Sequence, residues 1–211
     1  MTDAKKFLDI IAAVAKKITA EKDFLTELDN EIGDGDHGIN LARGFKAVEE
    51  ILPTLTDKDI GAIFKAVGMK LVSTVGGASG PLYGTAFMKA GNVAKGKFSV
   101  TDAEFVEMFT AAVDGIKMRG KSTEGEKTML DALCPALTAI KNSLGDGKNL
   151  SSALADGVDA AAKGVEFTKT IVATKGRASY LQERSLGHQD PGATSSLFML
   201  QVAAEILRGG D

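Results

Sequence analysis

Residues 101–122 read TDAEFVEMFTAAVDGIKMRGKS, and the fold class turns on how this stretch is read. Its last eight residues, Gly115 to Ser122, satisfy G-x-x-x-x-G-K-[ST], the phosphate loop of nucleotide-binding α/β domains, whose mechanism requires a preceding strand and a glycine-rich turn. The residues before it deny that context. Phe105, Phe109, Ala112 and Ile116 recur at helical spacing, and Thr101 with Glu104 three residues on makes a capping box that starts a helix. The intervening IKMR continues that helix, so the match is a decoy.

The same period runs outward in both directions, for example through Phe7, Ile10, Ile11, Val14 and Ile18, and the chain reads as all-α. Asp190-Pro191 offers an N-cap followed by proline at the first helical position. The expected helices are 3–28, 38–52, 58–74, 80–94, 102–118, 127–144, 151–172 and 191–208. With 211 residues and 44% hydrophobic content, a single domain over 1–211 can bury its own core. Formal charge is −3 and the basic residues are scattered, so there is no footprint for nucleic acid. The one cysteine, Cys134, lies in the apolar stretch TMLDALCPAL and reads as a buried, inert thiol. No segment is long and apolar enough for a signal peptide or a membrane span, so a cytoplasmic protein with no membrane partner is expected.

Short connections favour consecutive helices packing antiparallel, and every second loop then emerges at the same end. The second, fourth and sixth loops, PTLTDK, GKFSV and GDGKNL, are ordinary polar turns. The first, third, fifth and seventh read IGDGDHG, GGASGPLYG, RGKSTEGEKT and KGRASYLQERSLGHQDPG. They hold the carboxylates Asp34 and Asp36, both histidines and the densest glycine, which places the candidate site at one end. Glycine is 24 of 211 residues, above the usual share of about 7%, which fits either backbone amides approaching a ligand or turn formation alone.

Asp29, Asp34 and Asp36 fall within eight residues. Such a cluster is spread into water as a turn or neutralised by a cation. An EF-hand is excluded, because the twelfth position is Phe45 counted from Asp34 and Asn40 counted from Asp29, where a bidentate glutamate is needed. A few carboxylates completed by water and phosphate oxygens is how magnesium is usually held. His37 beside three aspartates makes a poor zinc site. Gly76, Gly77, Ala78, Ser79 and Gly80 precede a helix start, an anion-binding arrangement that is also a common turn, and Asp190-Pro191-Gly192 reads as anion binding or simple capping. Arg177 and Arg184 lie in a loop of about 18 residues, longer than bundles need, of the kind that forms lids.

Taken together, LDNEIGDGDHGIN, GGASGPLYGTAF, GEKTMLDAL and GRASYLQERSLGHQDPGATS resemble the nucleotide-binding L subunits of bacterial, phosphotransferase-system-dependent dihydroxyacetone kinase, over essentially the whole chain. The resemblance implies an eight-helix antiparallel up-and-down barrel that carries ADP and two magnesium ions at one end. It implies metal ligands at Asp29, Asp34 and Asp36, and nucleotide contacts at His37, Gly38, Ile39, Asn40, Ala78, Ser79, Gly120, Met129, Arg177, Asp190, Pro191 and Gly192. Arg177 is the candidate for stabilising charge during transfer.

The activity so implied is phosphoryl transfer from bound nucleotide to dihydroxyacetone held on a separate kinase subunit, with ADP retained as a coenzyme and recharged by a phosphohistidine carrier of the phosphotransferase system. The alternatives are an ATP-exchanging kinase component and a nucleotide-loaded regulatory module that reports its loading state to another protein.

Overall fold

The computed structural model describes residues 1–209. Nine α-helices carry the described chain: α1 Ala4–Ala20, α2 Lys22–Ile32, α3 His37–Ile51, α4 Ile60–Thr74, α5 Ser79–Val93, α6 Asp102–Gly120, α7 Leu130–Gly145, α8 Leu150–Thr168 and α9 Pro191–Arg208. The count exceeds eight because the first expected helix is bent at Glu21 and runs on to Ile32. The bend keeps its backbone ladder: Glu21 N–H reaches the Lys17 carbonyl at 3.0 Å, and Leu25 N–H reaches that of Glu21 at 2.9 Å. The other seven stand where periodicity puts them, with ends shifted by a few residues. Inside the long seventh loop, Arg177–Ser185 forms 3-10 turns that the apolar period did not signal.

Helix starts explain much of the layout. α1, α4, α6 and α8 begin at the same end of the molecule, and each is capped by a side chain. Asp3 accepts from Lys6 N–H, Asp59 from Ala62, Thr101 from Glu104 in a full capping box, and Asn149 from Ser152. Each such cap contributes about 1 kcal/mol. This end is tied further by a two-residue antiparallel pairing of Thr2–Asp3 with Ser99–Val100.

From α3 onward each helix packs on the next in chain order, and α9 closes the ring against α1. The result is the all-α up-and-down barrel. Phe7, Ile10, Ile11, Val14 and Ile18 of α1 all point into it, each contributing roughly 1.5–3 kcal/mol by burial. Phe105 and Phe109 of α6 join Phe7, Phe64, Phe87 and Met199 around an apolar cavity of about 180 Å³ inside the ring. α4 and α5 approach so closely that a Cβ on Gly68 would stand 2.7 Å from the Gly84 carbonyl oxygen. Cys134 is buried. Among the described residues no helix is long and apolar enough to cross a membrane.

Candidate functional site

Alternating helix direction brings the first, third, fifth and seventh loops together, and they line a cleft of about 350 Å³. This is the end opposite the four capped helix starts. α2 runs past its expected end at residue 28, so Asp29 lies inside that helix and is buried, rather than in the loop with Asp34 and Asp36. Its Oδ2 accepts the N–H of Asp36 at 2.9 Å and of His37 at 3.1 Å, which folds the intervening turn back over it. One oxygen from each of Asp29, Asp34 and Asp36 then falls within 4.8 Å of the others. An all-oxygen set of this kind suits a hard divalent cation that keeps open positions for water and phosphate.

The glycines of this turn fit the turn-forming reading of the two the sequence left open. A Cβ on Gly33 would strike the Asp29 carboxylate, and one on Gly35, at φ +72°, would strike the Asn30 side chain. They make room for the chain's own side chains rather than for a ligand.

α3, α5 and α7 all start at the cleft, and none is capped by the side chain of its own N-cap residue, although Asp29 already takes the first amide of α3 at His37 and Thr128 Oγ1 that of α7 at Leu130. Against four capped starts at the far end, this leaves Gly38 and Ile39 of α3 and Ser79 and Gly80 of α5 with first-turn amides, at the positive ends of their helix dipoles, available to an anion. α9 also starts here, but Asp190 caps it, its Oδ2 accepting Ala193 N–H at 2.7 Å with Pro191 at the first position. The capping reading of that turn therefore holds, and the same turn lines the cleft. Burial pushes the Asp190 carboxyl up to about 7, opposed by the Ala193 amide.

His37 is buried between two hydroxyls, with Nδ1 3.1 Å from Ser79 Oγ and Nε2 3.0 Å from Ser195 Oγ. Burial pushes its pKa down to about 4 against the nearby carboxylates Asp29 and Asp36, so the ring is neutral at neutral pH. It donates through one nitrogen and accepts through the other. Behind it, Tyr83 Oη stands 2.8 Å from both Ser195 Oγ and Ser196 Oγ, and burial pushes that phenol up to about 12. This network ties the starts of α3, α5 and α9 together. Asn40 is set by Arg43, whose Nη2 donates to Asn40 Oδ1 at 2.7 Å.

The cleft collects Asp29, Asp34, Asp36, His37, Asn40, Ala78, Ser79, Gly120, Met129, Arg177, Asp190, Pro191 and Gly192. Gly38 and Ile39 are not in its lining. Gly38 is pressed against the Lys22 carbonyl and Thr26 of α2, and the Ile39 side chain is exposed. Arg177, from the long loop, pairs its Nη2 with Asp34 Oδ2 at 2.9 Å. His188 lies outside the cleft and pairs with Glu31 at 2.9 Å, strapping the same loop to α2. Lys121 of the decoy is exposed, caps α6 in a left-handed conformation and does not reach the cleft, whereas Arg119 and Ser122 do.

Sequence reasoning missed Lys127, Thr128 and Lys175, which also line the cleft. The available signal was T-x-x-D: Asp131 accepts Thr128 N–H at 2.7 Å and Gly125 N–H at 2.6 Å, which shapes the fifth loop. Lys127 is 1% exposed, and burial lowers its pKa against the Asp190 and Asp131 carboxylates.

Comparison with known proteins gives a consistent assignment. Residues 31–205 match the model of the DAK2 domain. The chain is 48% identical over 186 residues to the "PEP-dependent dihydroxyacetone kinase, ADP-binding subunit DhaL" of Escherichia coli K12, covering 88% of this chain and 89% of that one. It is 40% identical to the "PTS-dependent dihydroxyacetone kinase, ADP-binding subunit DhaL" of Lactococcus lactis, covering 91% and 92%. Among solved structures, the dihydroxyacetone kinase of C. freundii in complex with AMP-PNP and Mg2+ superposes with a TM-score of 0.72 at 29% identity, over 94% of this chain and 33% of that longer one.

Proposed function

The chain belongs to the DAK2 domain family, and from that membership we propose that it is the ADP-binding subunit of a dihydroxyacetone kinase recharged from phosphoenolpyruvate. Its relatives of similar length carry that description. The observation that carries the reading to this chain's own residues is the pairing, at one end of the barrel, of three clustered carboxylates with the starts of α3 and α5, whose N-cap side chains make no capping bond. One set suits a hard cation and the other an anion, and magnesium diphosphate needs both.

Asp29, Asp34 and Asp36 would hold the metal, and we assign two magnesium ions to them. Bound magnesium would supply charge neutralisation on the phosphate oxygens of the nucleotide as the phosphoryl group leaves for the dihydroxyacetone hydroxyl. The remaining work is positioning and electrostatic stabilisation, which phosphoryl transfer chiefly requires. The starts of α3 and α5 orient the phosphates, with Asn40, Ala78 and Ser79 at the contact. His37, neutral and fixed between Ser79 and Ser195, holds the Ser79 hydroxyl in one orientation. Gly120 and Met129 wall the nucleoside side, and the Asp190–Gly192 turn closes the cleft opposite α3. Arg177 is positioned to leave Asp34 for a phosphoryl oxygen once a cation occupies the carboxylates. Dihydroxyacetone is held by a separate kinase subunit, and a phosphohistidine carrier of the phosphotransferase system returns the phosphoryl group to ADP in place.

A reconstitution with catalytic ADP tests this. Dihydroxyacetone phosphate is expected only when the substrate subunit and a phosphohistidine donor are both added. Sustained turnover by this chain with ATP alone, or rapid exchange of its labelled ADP, would replace the reading with that of an ATP-exchanging kinase.

A further inference from the structure

Lys127 is a fully buried cation that the proposed chemistry leaves without a task. It sits in the fifth loop at φ +60°, a left-handed conformation that non-glycine residues adopt at a cost and that persists where surrounding contacts hold it. Its Nζ donates to the carbonyls of Thr168 at 2.6 Å and His188 at 2.6 Å, with Ile171 more distant at 3.5 Å. An ammonium has three protons and no acceptor, and here all three point at backbone oxygens.

Those oxygens belong to the two stems of one loop. Thr168 and Ile171 mark where the chain leaves α8, and His188 marks where it returns to α9. Two more bonds join the same stems: Thr168 Oγ1 accepts Asp190 N–H at 3.0 Å, and Gly187 N–H reaches the Lys169 carbonyl at 2.8 Å. Beyond this clasp, Ala173 and Ala178 bury against Ile32 of α2, and Arg177 reaches Asp34. The large core clusters contain no residue from 169–190, so the barrel does not depend on this loop for its packing.

We propose that Lys127 is a positioning residue which, together with Thr168, clasps the stems of the 169–190 loop, setting Arg177 and the Asp190–Gly192 turn against the carboxylates and thereby controlling how slowly a bound nucleoside diphosphate leaves. The inference rests on the nucleotide-binding reading above. Replacing a lysine whose part was only to stabilise the fold would lower melting temperature without acting on ligand release in particular.

The test measures release and association of a fluorescent ADP from magnesium-loaded protein in the parent, Lys127→Met, Thr168→Val and the double variant, with hydrogen exchange over residues 172–186. Losing hydrogen bonds of this kind is expected to speed release by on the order of tenfold in either single variant, with association little changed and exchange faster in the loop alone. The double variant should release little faster than the worse single one, because both act through one clasp. Thr168→Val removes one hydroxyl at nearly constant shape, so it carries the test should Lys127→Met fail to fold. Unchanged release in Thr168→Val, or release and association slowed alike, overturns the clasp while leaving the nucleotide reading intact. A parent protein that does not bind magnesium-ADP overturns both.

Discussion

Replacing Asp36 by asparagine keeps the side chain's size and the backbone N–H that Asp29 accepts, while removing one of three clustered charges. Two unit charges within 4.8 Å of each other repel by at least about 3.5 kcal/mol at an effective dielectric near 20. Asp34 is partly open to water and paired with Arg177, and Asp36 is half-buried, so screening reduces the relief in cation-free protein to about 1 kcal/mol. For a chain of 211 residues that is a rise of about 2–4 °C in melting temperature. With magnesium and ADP the sign reverses. At ligand 100-fold above the parent Kd, binding stabilises the parent by about 2.7 kcal/mol, and a tenfold weaker variant retains about 1.4 kcal/mol. Scanning calorimetry of both proteins, first in chelator and then with magnesium-ADP, reads the two effects separately. A variant that melts no higher than the parent in chelator refutes the repulsion argument. One that gains as much from magnesium-ADP as the parent does refutes the metal assignment.

Lys121→Ala should shift magnesium-ADP binding by less than about 0.5 kcal/mol in calorimetry, as exposed substitutions usually do; a loss like that of the aspartate variants would revive the phosphate-loop reading of Gly115–Ser122. Asp190 gives a pH dependence of known sign. Its carboxyl is held up at about 7 by burial, against about 3.9 in an unfolded chain, so its contribution to stability is full below about pH 4 and is lost as pH rises through about 7. Asparagine caps a helix equally well and does not titrate, so the stability of Asp190→Asn relative to the parent should climb between about pH 4 and 7 and level off above that in urea denaturation without nucleotide. His37 titrates in both proteins and cancels from the difference; a flat difference would mean that Asp190 is ionised in the folded protein.

The helices and the end of the barrel that carries the site were legible in the amino-acid sequence because both rest on local information. Apolar spacing along Phe7–Ile18 and the Thr101–Glu104 box act within a few residues, and alternating direction follows from short connections. The aspartates were legible for the same reason, since Asp29, Asp34 and Asp36 are near neighbours in the chain. What tertiary structure alone decided lies between residues far apart. The acceptors of Lys127 are carbonyls 41 and 61 positions away, and a carbonyl carries no residue identity by which a sequence could announce it. The His37–Ser195 pair spans 158 positions, and Tyr83 meets its serines only because α5 and α9 both begin at the cleft. For the glycines of the first loop the sequence left ligand approach and turn formation open, because composition reports that a side chain is missing and not what takes its place. Only packing decides between them: the Asp29 carboxylate fills the space a Cβ on Gly33 would need.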